Sequence, residues 1–306
     1  MGDWRRAAAA GITASILAVG LGTAAPDASA AVTPAGSTGS GVTGSGVTES
    51  GASAPRGVRA PYAELADADT GTGMWARSPT ADVPIGSIAK VMTAYVVIGE
   101  GNLDRLITVP RGVTGYVRHN GASSAGLKPG EKLTARQLLY AMLIPSGCDA
   151  AYALAAAYGP GLPAFVEKMN ATAAQLGLTR TAFTDVSGLP DPAGRSSYSD
   201  ASDLVSLGRA AMALPEFASI VRLPDYRLPA EPGLHPSFHW RTTNPLLSGH
   251  PDVTGIKTGN TDAAGFCLLF EASRNGRTLI GVVLDDRSFK AVASDSEQMM
   301  NWGWSN

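Results

Sequence analysis

From residue 88 to residue 98 every position except Lys90 and Thr93 is apolar, aromatic or alanine, which predicts a helix with no solvent face running through a domain interior. A second apolar helix is predicted over 135–144, and Phe165, Val166, Met169 and Ala173 repeat at helical spacing beyond it. Both ends of this region read differently. Residues 62–67 and 74–76, separated by the turn-forming Thr70-Gly71-Thr72-Gly73, predict two antiparallel strands. Residues 253–258, 265–272 and 278–285 predict three more, followed by a closing helix over 294–302, while Pro224, Pro229, Pro232 and Pro236 mark a loop region before them. Strands on either side of a helical middle point to an α+β protein. One antiparallel sheet is completed by the two ends of the domain, and an all-helical subdomain is inserted between them.

The first residues lack this patterning. Arg5 and Arg6 precede an alanine-rich apolar run over 7–25 and the small-residue site Ala28-Ser29-Ala30, so 1–30 reads as a signal peptide, with an uncleaved anchor as the alternative. The arginine pair also fits a twin-arginine leader. Residues 31–58 are almost wholly Gly, Ser, Thr, Ala and Pro, with Gly39-Ser40-Gly41-Val42-Thr43 repeated at once as Gly44-Ser45-Gly46-Val47-Thr48. Such a segment buries too little apolar surface to offset its ordering entropy and is expected to be a flexible linker. Residues 59–306 remain for the folded domain, ample for one large core. The formal net charge of -2 gives no footprint for nucleic acid. No long amphipathic segment follows the last predicted strand, so no strong membrane anchor is expected once the leader is gone.

Chemistry concentrates at the start of the first buried helix. In Pro84-Ile85-Gly86-Ser87-Ile88-Ala89-Lys90 a hydroxyl and an amine stand three residues apart, a spacing that lets them touch on one helix face. Burial penalises the ammonium form, so an amine here can serve as base to the neighbouring hydroxyl. Pro84 and Gly86 suit a tight turn that leaves Ser87 at the helix N-terminus, where free N–H groups favour developing negative charge. Alone, Ser-x-x-Lys is weak, because a chain of this length gives on the order of one match by chance. Ser146-Gly147-Cys148-Asp149-Ala150 then follows the second apolar helix, and Lys257-Thr258-Gly259 ends a strand-like run.

These three strings, in this order, resemble the signatures of the penicillin-binding serine D,D-peptidases of the low-molecular-mass D-alanyl-D-alanine carboxypeptidase type. The likeness covers roughly 60–304, including Leu127-Lys128-Pro129-Gly130-Glu131, 165–177 with Met169-Asn170, 181–189, and Thr254-Gly255-Ile256 before Lys257. One position departs: Cys148 stands where most relatives carry Asn, which puts a side-chain contact to substrate in doubt. The resemblance implies a β-lactamase-like fold, a five-stranded antiparallel sheet flanked by helices with the site between sheet and helical subdomain.

It also implies roles. Ser87 attacks the penultimate D-alanine carbonyl of a peptidoglycan stem peptide ending in D-Ala-D-Ala, Lys90 takes the proton, and Ser146 relays it to the leaving amine. The backbone N–H groups of Ser87 and Asn260 hold the oxyanion, while Lys257, Thr258, Gly259 and Cys148 line the substrate site. Water or a second stem amine can receive the acyl group, so carboxypeptidase and transpeptidase both stay open. β-Lactams are the expected covalent inhibitors. No cofactor or metal is implied, and the expected enzyme is a monomer, secreted and associated with the cell wall. A β-lactamase and a non-catalytic wall-binding or sensor domain of the same fold are the alternatives. Glu167 weakly resembles the deacylating glutamate of class A β-lactamases, but its setting on a helical pattern makes it a solvated helix residue.

Two other groups bear on the site. His235, His239 and His250 lie close in sequence, but Pro236 disfavours a helical pair and no acid completes a ligand set, so they read as loop histidines. A hairpin turn over 260–264 would place Cys267 opposite Lys257, near Cys148. Secretion favours a disulfide, whereas a bridge across the groove would obstruct it, which favours free thiols with Cys148 partly exposed and reactive.

Overall fold

A computed structural model describes residues 54–119 and 122–306. The signal peptide and most of the linker expected from the sequence lie outside the described residues. The chain begins with β1 (Tyr62–Asp67) and β2 (Gly73–Arg77), then β3 (Val83–Pro84), a 3-10 turn over Gly86–Ile88, and α1 (Ala89–Glu100). The helical part continues through β4 (Leu106–Thr108), α2 (Val113–His119), β5 (Lys132–Thr134), α3 (Ala135–Leu143), α4 (Cys148–Tyr158) and α5 (Leu162–Gln175). It closes with β6 (Tyr198–Ser199), α6 (Ala201–Met212) and α7 (Pro215–Val221). After the hairpin β7 (Asp225–Leu228) and β8 (Phe238–Arg241), the chain returns to the sheet as β9 (Val253–Thr261), β10 (Gly265–Arg274) and β11 (Arg277–Asp286), and ends in α8 (Phe289–Ser305).

The main sheet has five antiparallel strands in the order β2-β1-β11-β10-β9, so its two ends of the sequence meet where β1 pairs with β11. Both faces are covered. Leu268, Phe270, Val283, Met299 and Met300 form one core with α8, while Leu269, Ile280, Val282 and Leu284 join the larger core shared with the helices. Burial on both sides removes the alternation of a half-exposed strand, which is why β10 and β11 read as near-continuous apolar runs. Caps fix several helix starts: Thr134 and Gln137 form a capping box on α3, and Asp200 and Ser288 accept from the Asp203 and Ala291 amides at the starts of α6 and α8.

Three expectations need correction. Pro55 and Val58 are buried, and the Val58 carbonyl accepts from Arg77, so the folded unit begins inside the segment assigned to the linker. A lone valine among Gly and Arg gives no compositional signal. His239 sits on β8 rather than a loop, 2.9 Å from Asp225. The β9–β10 turn lies one residue later than expected, so Cys267 faces Gly259 and Leu269 faces Lys257. Each residue of turn displacement moves a hairpin register by two. The predicted interior run over 88–98 has no exposed residue, and α1 reaches the surface only beyond it, at Gly99 and Glu100.

Candidate active site

Edge strand β9 packs against the turn that carries Ser87. This approach needs glycine at Gly259, where a Cβ would lie 2.4 Å from the Ile85 carbonyl oxygen. On the other side of the turn, Gly188 has φ +85°, and a Cβ there would lie 1.9 Å from the Gly86 carbonyl oxygen. The turn is therefore held between β9 and the 185–189 segment. Ser87 itself is half-buried, whereas Lys90, in the first turn of α1, is fully buried.

Lys90 Nζ lies 2.7 Å from Ser87 Oγ, 3.5 Å from Ser146 Oγ, 3.3 Å from Cys148 Sγ and 3.1 Å from the Ser187 carbonyl oxygen. Ser146 occupies the α3–α4 connection with φ +63°, an uncommon conformation for a residue with a side chain, and is 4 % exposed. Its neighbours brace it: the Gly147 amide donates to the Ala141 carbonyl and the Cys148 amide to the Ser123 carbonyl. Asp149, also buried, accepts from Ser124 Oγ and from the Ala125, Leu127 and Ala150 amides, which ties the 123–127 segment to the start of α4.

Lys257 arrives from β9 with 1 % exposure, and its Nζ donates to the Thr258 carbonyl at 3.0 Å. Burial holds its pKa well below the usual lysine range, and the nearby Lys90 amine pushes the same way. Thr258 Oγ1 is 2.6 Å from Thr243 Oγ1, and Asn260 is exposed with Nδ2 donating to the Gly265 carbonyl. Four elements thus bring Ser87, Lys90, Ser146 and Lys257 together: the 3-10 turn, α1, the α3–α4 connection and β9. Residues 48–288 match the peptidase S11 family, D-alanyl-D-alanine carboxypeptidase.

The chain belongs to that family. It is 38 % identical over 246 residues to the D-alanyl-D-alanine carboxypeptidase of Streptomyces sp. strain K15, a match spanning 77 % of this chain and 84 % of the relative. It is 39 % identical over 216 residues to the DacB2 carboxypeptidase of Mycobacterium tuberculosis H37Rv, across 71 % of each chain. Among solved structures, the Streptomyces K15 DD-transpeptidase superposes with a TM-score of 0.77 at 36 % identity, covering 81 % of this chain and 98 % of that one. A D-alanyl-D-alanine carboxypeptidase from M. tuberculosis H37Rv gives 0.77 at 33 % identity, covering 84 % and 95 %. Membership makes this a peptidoglycan-directed D-Ala-D-Ala peptidase with the family's α+β fold.

Cys148 is placed differently from the expectation. It is 1 % exposed, and its thiol turns inward to Lys90 rather than opening to the cleft. Cys267 is buried on the helical face of the sheet, where burial pushes its thiol up to about 12. Both thiols are free. Glu167 is exposed on α5, and His235 and His250 meet the Pro236 carbonyl and Glu297 respectively. Residue-by-residue reading missed Thr93, Tyr116, Asp185 and Ser187. Their only trace was the polar Thr93 in an otherwise apolar helix and the Asp185-Val186-Ser187-Gly188 string within the 181–189 likeness.

Proposed function

We propose that Ser87 is the acylated nucleophile of this peptidase and Lys90 its base, a reading carried by the 2.7 Å Lys90–Ser87 contact at a fully buried amine. As Ser87 Oγ bonds to the penultimate D-alanine carbonyl carbon, its proton passes to Lys90 and the carbonyl becomes an oxyanion held by the Ser87 and Asn260 amides. Collapse of that intermediate breaks the C–N bond. The proton reaches the leaving D-alanine amine through Ser146, within 3.5 Å of Lys90. Water then cleaves the Ser87 ester and regenerates the enzyme, or a stem amine takes the acyl group instead.

Lys257 and Thr258 bind the substrate's terminal carboxylate. The depressed pKa of Lys257 supports this, because a buried amine lacking a counter-charge gains most from a bound carboxylate. Benzylpenicillin acylates the same serine. Cys148, buried 3.3 Å from Lys90 Nζ, supports that amine from within rather than contacting substrate. The leader over 1–30 directs export, and the domain works as a monomer at the cell wall, carried on the linker over 31–58. The deciding experiment is a mass time course with benzylpenicillin on wild type and Ser87→Ala: the adduct and the release of D-alanine are both lost in the mutant. Covalent labelling of Ser87→Ala would place the nucleophile elsewhere.

A further inference from the structure

Of the four groups around Lys90 Nζ, three are hydroxyls or a thiol, which can donate or accept. The fourth, the Ser187 carbonyl, can only accept. A neutral amine has two N–H groups and one lone pair, and to take the proton of Ser87 that lone pair must face Ser87 Oγ. The carbonyl commits one N–H in a fixed direction. Without it, the amine is free to turn an N–H toward Ser87, an orientation useless for proton abstraction.

The position of this carbonyl is set at some distance from the reacting atoms. Asp185 Oδ1 accepts from the Ser187 amide at 2.8 Å, the Leu189 amide at 3.0 Å and Ser187 Oγ at 2.8 Å, which closes the segment into a tight turn. From α2, the Tyr116 hydroxyl lies 2.8 and 2.7 Å from the two Asp185 oxygens and 2.7 Å from Ser187 Oγ. Burial, and then the Asp185 carboxylate, hold the Tyr116 phenol well above its usual pKa, so it keeps its proton and remains a donor. The preceding carbonyl, of Val186, accepts from Thr93 Oγ1 at 2.6 Å, three residues along α1 from Lys90. Two successive carbonyls of one braced turn therefore hold the same face of α1.

We propose that Asp185 and Tyr116 are positioning residues that hold the Ser187 carbonyl against Lys90 Nζ and thereby orient the amine toward Ser87. The inference rests on the reading of Lys90 as base. Neither residue is assigned a contact with substrate, so their loss slows acylation without weakening the preceding complex.

The test uses the full chain as Asp185→Ala, Asp185→Asn, Tyr116→Phe and Lys90→Ala, with the pre-acylation dissociation constant and the acylation rate constant for benzylpenicillin resolved separately. Asp185→Ala lowers the rate constant by about 10-fold or more at an unchanged dissociation constant, the signature of an interaction expressed only in the transition state. Asp185→Asn recovers most of the loss, because its amide oxygen still accepts the Ser187 and Leu189 amides. Tyr116→Phe falls in between and, since it retains the ring, decides the question if Asp185→Ala does not fold. Normal acylation by Lys90→Ala overturns the base reading itself. An inert Lys90→Ala together with a wild-type rate constant in folded Asp185→Ala or Tyr116→Phe overturns the positioning role alone.

Discussion

Replacing Gly188 with alanine tests the geometry of the site at a position with no chemistry of its own. The new Cβ would lie 1.9 Å from the Gly86 carbonyl oxygen, 2.4 Å from the Gly86 carbonyl carbon and 3.1 Å from the Ser87 amide nitrogen. An ordinary contact needs about 3.5 Å, so the two backbones must part by about 1.6 Å. At φ +85° the alanine also adopts a left-handed conformation, costing roughly 1–2 kcal/mol. A domain stable by about 5–15 kcal/mol survives that cost with a lowered melting temperature. Catalysis does not, because the parting separates Ser87 from the carbonyl that holds Lys90. A misplacement of about 1 Å in a reacting geometry costs on the order of 10²-fold, and that is the expected loss of acylation rate. The assay is intact mass against time with benzylpenicillin, alongside thermal unfolding. Gly259→Ala supplies the comparison: its Cβ meets the Ile85 carbonyl at 2.4 Å without a left-handed φ, so acylation falls there by steric displacement alone. Acylation of Gly188→Ala within a few-fold of wild type would refute the claim that this contact fixes the position of Ser87.

Three further outcomes follow from the same geometry. Because Lys257 titrates below its unfolded value of about 10.4, the unfolded chain binds the extra proton between the two values, so stability rises with pH across that window by up to about 1.4 kcal/mol per unit. Urea unfolding of wild type and Lys257→Met against pH checks this, and equal slopes would remove the assignment. With both thiols buried and unbridged, iodoacetamide modifies neither in the native protein and both in denaturant without reductant; native modification of Cys148 would show an open thiol. A chain beginning at residue 54 melts like the full chain, whereas one beginning at 59 loses the buried Val58 and about 1.5 kcal/mol or more, and identical melting would show that this edge contributes nothing.

The sequence carried those parts of the protein that depend on local pattern. Strands β10 and β11 were legible because burial on both faces makes them apolar runs, and α1 because Lys90 and Thr93 interrupt an otherwise apolar helix. Ser87 and Lys90 were legible as a pair because i and i+3 face each other. What escaped depends on contacts between distant positions. Lys90 meets Ser187 across 97 positions and Tyr116 meets Asp185 across 69, and no short-range pattern announces either. Cys148 was legible as a departure in its motif but not as buried, because exposure at the start of α4 is decided by how the 123–127 segment folds over it. The register of Cys267 failed for a smaller reason, one residue in a turn.

The distribution of charge explains how two buried lysines can share one site. Their hydrogen-bond partners are hydroxyls, a thiol and carbonyls, groups that solvate an amine without neutralising it. Burial of Lys257 and its nearness to Lys90 both act against its ammonium form. Before substrate binds, the site is therefore short of a negative charge rather than of hydrogen bonds. If the substrate carboxylate binds at Lys257 as proposed, a peptide ending in a free carboxylate supplies that charge and raises the affinity of Lys257 for its proton, so binding and protonation reinforce each other. An amidated peptide end brings the same shape without the charge and leaves Lys257 unpaired. Discrimination between the two then arises from the buried amine that the fold already holds, with no additional contact required. This is the physical sense in which a site made of two amines suits an enzyme that trims the carboxyl end of a peptide.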